Sequence, residues 1–163
     1  MRPEQNPQPL DETDRRILAE LQTDGRMTNV ELAGRAGISP PSCLRRVRRL
    51  KEEGYIQGYH ATTDSQKLGW QIGFFAIVGL ESQKQTVLDG FEAFAAAWPE
   101  VRECHMIRGG GDFLLKLVAR DAAHENQLTA RLTGAAHVAR VQTLQTIRTS
   151  RALPGVPMGV MNG

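Results

Sequence analysis

The chain has 163 residues, 40% of them hydrophobic, and a formal net charge of +2, room for one ordinary domain or two small ones. So weak a net charge argues against a uniformly basic protein, and with no run of about 18 apolar residues there is no candidate transmembrane helix. The two cysteines, Cys43 and Cys104, lie in different segments, which implies no disulfide framework and fits a reducing cytoplasm.

Residues 1–9 are polar and Pro-rich and read as a tail without the apolar core of a secretory signal. Residues 10–62 read as three helices and a hairpin. The first helix starts near Asp11, presents Ile17, Leu18 and Leu21 on one face and ends at Asp24-Gly25. The second opens on Thr28-Asn29-Val30-Glu31, a capping-box pattern, with Leu32, Ala33 and Ala36 inward. Gly37-Ile38-Ser39 turns into the third. Ser39 suits its N-cap, Pro40 its first turn and Gly54 its stop. At about 100° per residue, Cys43, Leu44, Val47 and Leu50 form an apolar stripe. Ser42, Arg45 and Arg49 fall opposite, with Arg46 and Arg48 on the flanks. From Arg35 to Lys51 there are six basic residues and no acidic one. Two short helices, a Gly-containing turn and a basic second helix make a helix-turn-helix. Tyr55 to His60 alternates like a short hairpin, a wing beside the reading helix.

Residues 63–71 form a polar linker, after which the pattern changes. Ile72 to Leu80 is strand-like; Gln83 to Trp98 has helical spacing and is stopped by Pro99. Val101 to Ile107 and Phe113 to Ala119 are strands about a glycine turn. Ala122 to Leu132 is a helix and Val138 to Arg148 a last strand. Residues 151–163 read as a second tail. The order βαββαβ over 72–150 predicts a ferredoxin-like sheet with both helices on one face, so the fold class is α+β. In the first strand Ile72, Phe74, Ala76, Val78 and Leu80 share one face, leaving Phe75 and Ile77 on the other. Two helices cover only one face, so Phe75 and Ile77 are the expected interface of a sheet-to-sheet homodimer. Such a dimer also presents two reading heads to paired DNA half-sites.

The chain resembles the Lrp/AsnC (leucine-responsive, feast/famine) family of prokaryotic transcriptional regulators. The resemblance spans about residues 10–150. It is carried by Leu10-Asp11-x-x-Asp14-Arg15-x-Ile17-Leu18-x-x-Leu21-Gln22-x-Asp24-Gly25-Arg26, by Asn29-Val30-Glu31-Leu32, by Ser39-Pro40 and by Cys43-Leu44-x-Arg46-Val47-Arg48-Arg49-Leu50. Gly54-Tyr55-Ile56-Gln57-Gly58-Tyr59 and Glu103-Cys104-His105 with Gly109-x-x-Asp112-Phe113-Leu114-Leu115-Lys116 complete it. The resemblance implies a winged helix-turn-helix followed by an effector-sensing, oligomerising domain. It further implies dimers that build higher assemblies such as octamers and an amino acid or related small effector bound where dimers meet. Two positions depart from the family pattern: Ala136-His137 stands where a Pro-Gly pair is common, and Gly109-Gly110-Gly111-Asp112 is unusually rich in glycine.

The expected DNA contacts are therefore Ser39, Ser42, Arg45, Arg46, Arg48 and Arg49, with Ser42 and Arg45 nearest base edges and the other arginines on phosphates or guanine. The expected effector site is Gly109, Gly110, Gly111 and Asp112. Bare glycine backbone admits a carboxylate and Asp112 offers a counter-charge to an ammonium. On the resemblance alone, His105, Ala136 and His137 line the same cleft. Cys104-His105, His124 and His137 match no compact zinc spacing, so neither a metal nor a cofactor is expected. No nucleophile–base pair or phosphate loop points to an enzyme. The same residues also suit a ligand-independent architectural DNA-binding protein, and the ferredoxin-like fold leaves an enzyme as a weaker alternative.

Overall fold

The computed structural model describes residues 9–159. The chain divides into two compact units. One comprises the described residues up to Thr62 and from Arg151 onward; the other is Thr63–Ser150.

The first unit holds α1 (Glu12–Thr23), α2 (Asn29–Ala36) and α3 (Pro40–Glu52). Its sequence supplies two of the three helix starts outright. Asp11 caps α1 in a reciprocal box with Asp14, and Thr28 caps α2 in one with Glu31, each satisfying amides that the helix leaves unpaired. α3 begins differently. Ser39 holds the N-cap position but makes no side-chain cap bond, and Pro40 occupies the first turn. Gly37, between α2 and α3, has φ +71, a left-handed conformation that makes the tight turn and strains any residue with a Cβ. The Asn29 side-chain amide donates to the Pro40 carbonyl at 2.8 Å, tying the start of α2 to the start of α3. Ile17, Leu32, Ala33, Ala36, Cys43 and Leu50 form a small core, with Leu18, Leu21, Val47, Tyr55 and Ile56 against it.

Two expectations fail here. Leu44 does not join the core stripe: it is 41% exposed. The segment Tyr55 to His60 forms no strand; Tyr55 and Ile56 pack on the core instead of alternating in and out, so no hairpin ladder forms among the described residues of this unit.

The second unit contains β1 (Ile72–Leu80), α4 (Gln85–Ala96), β2 (Val101–Met106), β3 (Phe113–Ala119), α5 (Ala122–Thr133) and β4 (Val138–Gln145). The sheet order is β2-β3-β1-β4, and every pair is antiparallel, as βαββαβ demands. β4 ends three residues short of the expected Arg148, although Thr146 N–H still reaches the Gly73 carbonyl at 2.8 Å. Phe74, Ala76, Val78, Phe113, Leu115, Leu117 and Ala119 from the sheet are buried against Phe91, Ala95, Trp98, Leu128 and Leu132 on the helix side. Phe91 stacks on Phe113 with centroids 4.8 Å apart, and Arg131 lies 3.9 Å over the Trp98 ring. The linker is also anchored: Trp70 lies beside the Arg120 guanidinium and the His124 ring.

The opposite face of the sheet follows from register. Phe75 faces Lys116 and Leu144, and Ile77 faces Leu114 and Gln142. Phe75, Ile77 and Leu114 are half-buried and Leu144 is exposed. This face is apolar at its centre and charged at the β2 edge, where Lys116 and His105 both meet the Glu103 carboxylate, at 2.7 and 3.1 Å. The Lys116 ammonium, with His105 behind it, holds the Glu103 carboxyl below the ordinary carboxylate range.

Candidate functional site

α3 carries four arginines, and the fold divides them into two pairs. Arg46 and Arg49 turn toward the N-terminus of α1. Arg46 Nη1 lies 2.6 Å from Asp11 Oδ2 and 2.8 Å from Asp14 Oδ1; Arg49 Nη2 bonds the other Asp14 oxygen. Asp14 itself is 1% exposed, and two guanidiniums and the Asp11 backbone N–H surround its carboxyl oxygens, supplying the partners that a buried acid requires. The Asp11 carboxyl is held below its ordinary value, first by the Asp14 backbone N–H and then by Arg46, and Arg46 and Arg49 are held still more firmly protonated.

Arg45 and Arg48 point the other way. Both are exposed, and neither has an ion-pair partner among the described residues. With Pro41 and Leu44 they form an outward stripe at i, i+3, i+4 and i+7, the spacing of one helix face. The outward face of α3 is therefore rotated by about a quarter turn from the one expected from periodicity. Ser42, expected near its centre, is half-buried, while Ser39 is exposed at the helix start. The residue missed was Asp14. Its signal was present, because Asp14, Ile17, Leu18 and Leu21 share the spacing of α1's inward stripe.

The expected effector residues separate in the same way. Gly109–Asp112 is a latched turn. Asp112 N–H donates to the Val78 carbonyl at 2.8 Å and its carbonyl accepts from Ile107 N–H at 2.9 Å. Its carboxylate accepts from Leu80 N–H at 2.7 Å and from the Gln83 amide at 3.1 Å, and Arg140 donates to the Gly110 carbonyl. Gly111 is required by close approach: a Cβ there would lie 2.7 Å from Ile77 Cγ2 and 2.9 Å from the Val78 carbonyl oxygen. A carboxylate offers about four lone-pair directions, so Asp112 retains accepting capacity beyond these two bonds.

His137 sits on the far flank of the same strand end. Its carbonyl accepts from Glu81 N–H at 2.9 Å and its ring lies 3.6 Å from the Glu81 carboxylate. Its φ is +61, a conformation that costs a side-chain-bearing residue but not glycine, which accounts for a Pro-Gly pair suiting these positions. Ala136 and His137 also border a cavity of about 370 Å³ against α4, lined by Val87, Gly90, Phe91 and Phe94. His105 lines neither region; it lies on the outer sheet face opposite Leu114. The structure thus gathers Gly109–Asp112 and Ala136-His137 at one end of the sheet; the cavity bordered by Ala136 and His137 is not lined by Gly109–Asp112, and His105 lies apart.

Comparison with known proteins matches both units. A family model described as winged helix-turn-helix DNA-binding covers residues 10–57, and the Lrp/AsnC ligand binding domain covers residues 74–153. A leucine-responsive regulatory protein from Rhizobium meliloti is 49% identical over 140 residues, covering 85% of this chain and 90% of that protein. The leucine-responsive regulatory protein of Escherichia coli K12 is 36% identical over 148 residues, covering 88% and 90%. Among solved structures, a transcriptional regulator from Neisseria meningitidis in complex with L-Met superposes with a TM-score of 0.87 at 29% identity, covering 92% of this chain and 97% of that one. An AsnC-family regulator from Agrobacterium tumefaciens gives 0.85 at 26% identity, covering 91% and 97%. These relatives are transcriptional regulators, not enzymes.

Proposed function

Because this chain belongs to the Lrp/AsnC family of transcriptional regulators, with a helix-turn-helix DNA-binding domain and a ligand-binding domain, we propose that it reads duplex DNA through the outward side of α3 under the control of a small amino acid. The observation that carries the reading is the pair Arg45 and Arg48, exposed on the second helix of the helix-turn-helix and without ion-pair partners among the described residues. Two unpaired guanidiniums on a helix that fits a major groove suit guanine edges and phosphates. Arg46 and Arg49 serve this face indirectly, by fixing α3 against α1 through Asp14.

The amino-acid effector is supported by the relatives, two named leucine-responsive and one solved with L-Met. We place it at the sheet end formed by Gly109–Asp112 and Ala136-His137. There exposed glycine backbone suits a carboxylate and Asp112 an ammonium. Such a ligand regulates only if it binds one assembly state better than another. The second copy that such states require packs on the sheet face bearing Phe75 and Ile77, whose apolar centre the second unit itself leaves half-buried.

The test is DNA-binding anisotropy and sedimentation of the full-length protein, titrated with each of the twenty amino acids. At least one should shift both the assembly and the DNA affinity, and Asp112→Ala should remove that response while ligand-free DNA binding persists. Phe75→Asp should drive the assembly apart, because it sets a charge in a buried apolar contact. If no amino acid changes melting temperature, assembly or affinity, the sensing reading is lost and a ligand-independent regulator replaces it.

A further inference from the structure

The outward stripe of α3 contains one residue that electrostatics does not explain. Leu44 is 41% exposed and lies among Pro41, Arg45 and Arg48 on the face assigned above to DNA. Cys43 just before it and Val47 three residues on turn inward to the core, while Leu44 packs into neither core cluster.

We propose that Leu44 reads a thymine, by packing against its C5-methyl group in the major groove. The proposal deepens the DNA-binding reading and rests on it. Three observations support it. Leu44 is the fifth residue of α3, which starts at Pro40, and the N-terminal part of a recognition helix is the part that meets base edges. It lies next to Arg45 and one turn before Arg48, so it approaches DNA whenever those cations do. Finally, an apolar side chain gains nothing from phosphates or from the polar base edges, and the thymine methyl is the one apolar group that the major-groove edges of the four base pairs present. Pro41, also exposed one turn earlier, widens the apolar spot toward the helix start. The expected preference is a thymine within a base pair or two of a guanine read by Arg45 or Arg48.

The experiment uses the full-length protein and a duplex selected by it from a random pool. Each thymine of the selected site is replaced in turn by deoxyuridine, which removes only the methyl group. At one thymine in each half-site this should weaken binding about fourfold, the effect of exposing one methyl-sized apolar group again. In Leu44→Ala, and independently in Leu44→Gln, the same replacement should change nothing, while the melting temperature stays near that of the parent because the side chain is not part of a core. Two results would overturn the contact: a selected site whose thymines all tolerate the replacement, or a methyl effect that persists undiminished in both Leu44 variants. Absence of any duplex binding would overturn the DNA reading as well, so the two failures are distinct.

Discussion

The two sides of α3 carry the same residue type and do opposite work. Toward α1, Arg46 and Arg49 are largely covered, with side chains 27% and 25% exposed, and share a buried carboxylate. Toward the outside, Arg45 and Arg48 lie exposed beside Leu44. The difference comes from one neighbour. Asp14 costs several kcal/mol to bury alone, so it recruits whichever cations the packing brings within reach. The cations beyond its reach remain available to a partner. A cluster of arginines is therefore not a single surface, and its free half is found only by asking which acids the fold places beneath it.

Four experiments break or sharpen that contrast, in descending order of effect. Asp14→Ala should be the most damaging, destabilising the first unit by about 3 kcal/mol, since it removes the buried acid that Arg46 and Arg49 share; denaturant unfolding measures it, and DNA binding should fall with it. Arg48→Ala should do the reverse. Unfolding should move by less than about 0.5 kcal/mol, while DNA affinity falls by about 1–3 kcal/mol if the arginine reads a base, or the salt slope falls by about 0.9 if it holds a phosphate. A stable Asp14→Ala variant, or an Arg48→Ala variant with full affinity and an unchanged salt slope, would undo the division.

Acid comes third. Asp11, Glu31 and Glu103 all have carboxyls held below their ordinary values of 3.8, 4.5 and 4.5. For Glu31 the cause is first the Thr28 hydroxyl and then its backbone N–H. A lowered carboxyl adds stability that is fully present above its unfolded value and is lost as pH falls through the folded one. Melting temperature should thus hold down to about pH 5 and decline below 4.5, and Asp11→Asn should reduce the part of that decline that belongs to the Arg46 side of α3. The smallest effect is expected from Ser39→Ala. An N-cap serine that bonds its helix is worth about 1 kcal/mol, but Ser39 makes no such bond, so unfolding should change by no more than about 0.3 kcal/mol.

Much of the architecture was legible in the chain. The capping box at Thr28–Glu31 marked one helix start because it is reciprocal and local, and Asp11 marked another; that Asp14 closes a second box with it emerged from the fold. Alternation at Phe74, Ala76 and Val78 identified the covered face of the sheet, since strand periodicity depends only on the pleat. The βαββαβ order specified the sheet topology, and the spacing from Leu10 through Lys116 specified the family. The second helix of a helix-turn-helix and its surplus of arginine were likewise visible, because both are properties of one segment.

What tertiary structure decided was how each segment is turned and what it meets. Periodicity gives the relative angles of residues around a helix but not the direction of the core, which depends on where the neighbouring helices lie. That is why periodicity places Leu44 in the core and Arg49 at the centre of the open face, whereas Leu44 is exposed and Arg49 is half-buried against Asp14. Asp14's role depends on Arg46 and Arg49, more than thirty residues away, and Asp112's on Leu80 and Gln83. The absent hairpin at 55–60 has the same cause: Tyr55 and Ile56 found apolar contacts on the three-helix core that outweighed their local alternation. Local bonding and pleat are written in consecutive residues; the partners of a charge, and the side of a helix that remains open, are set by packing between segments distant in sequence.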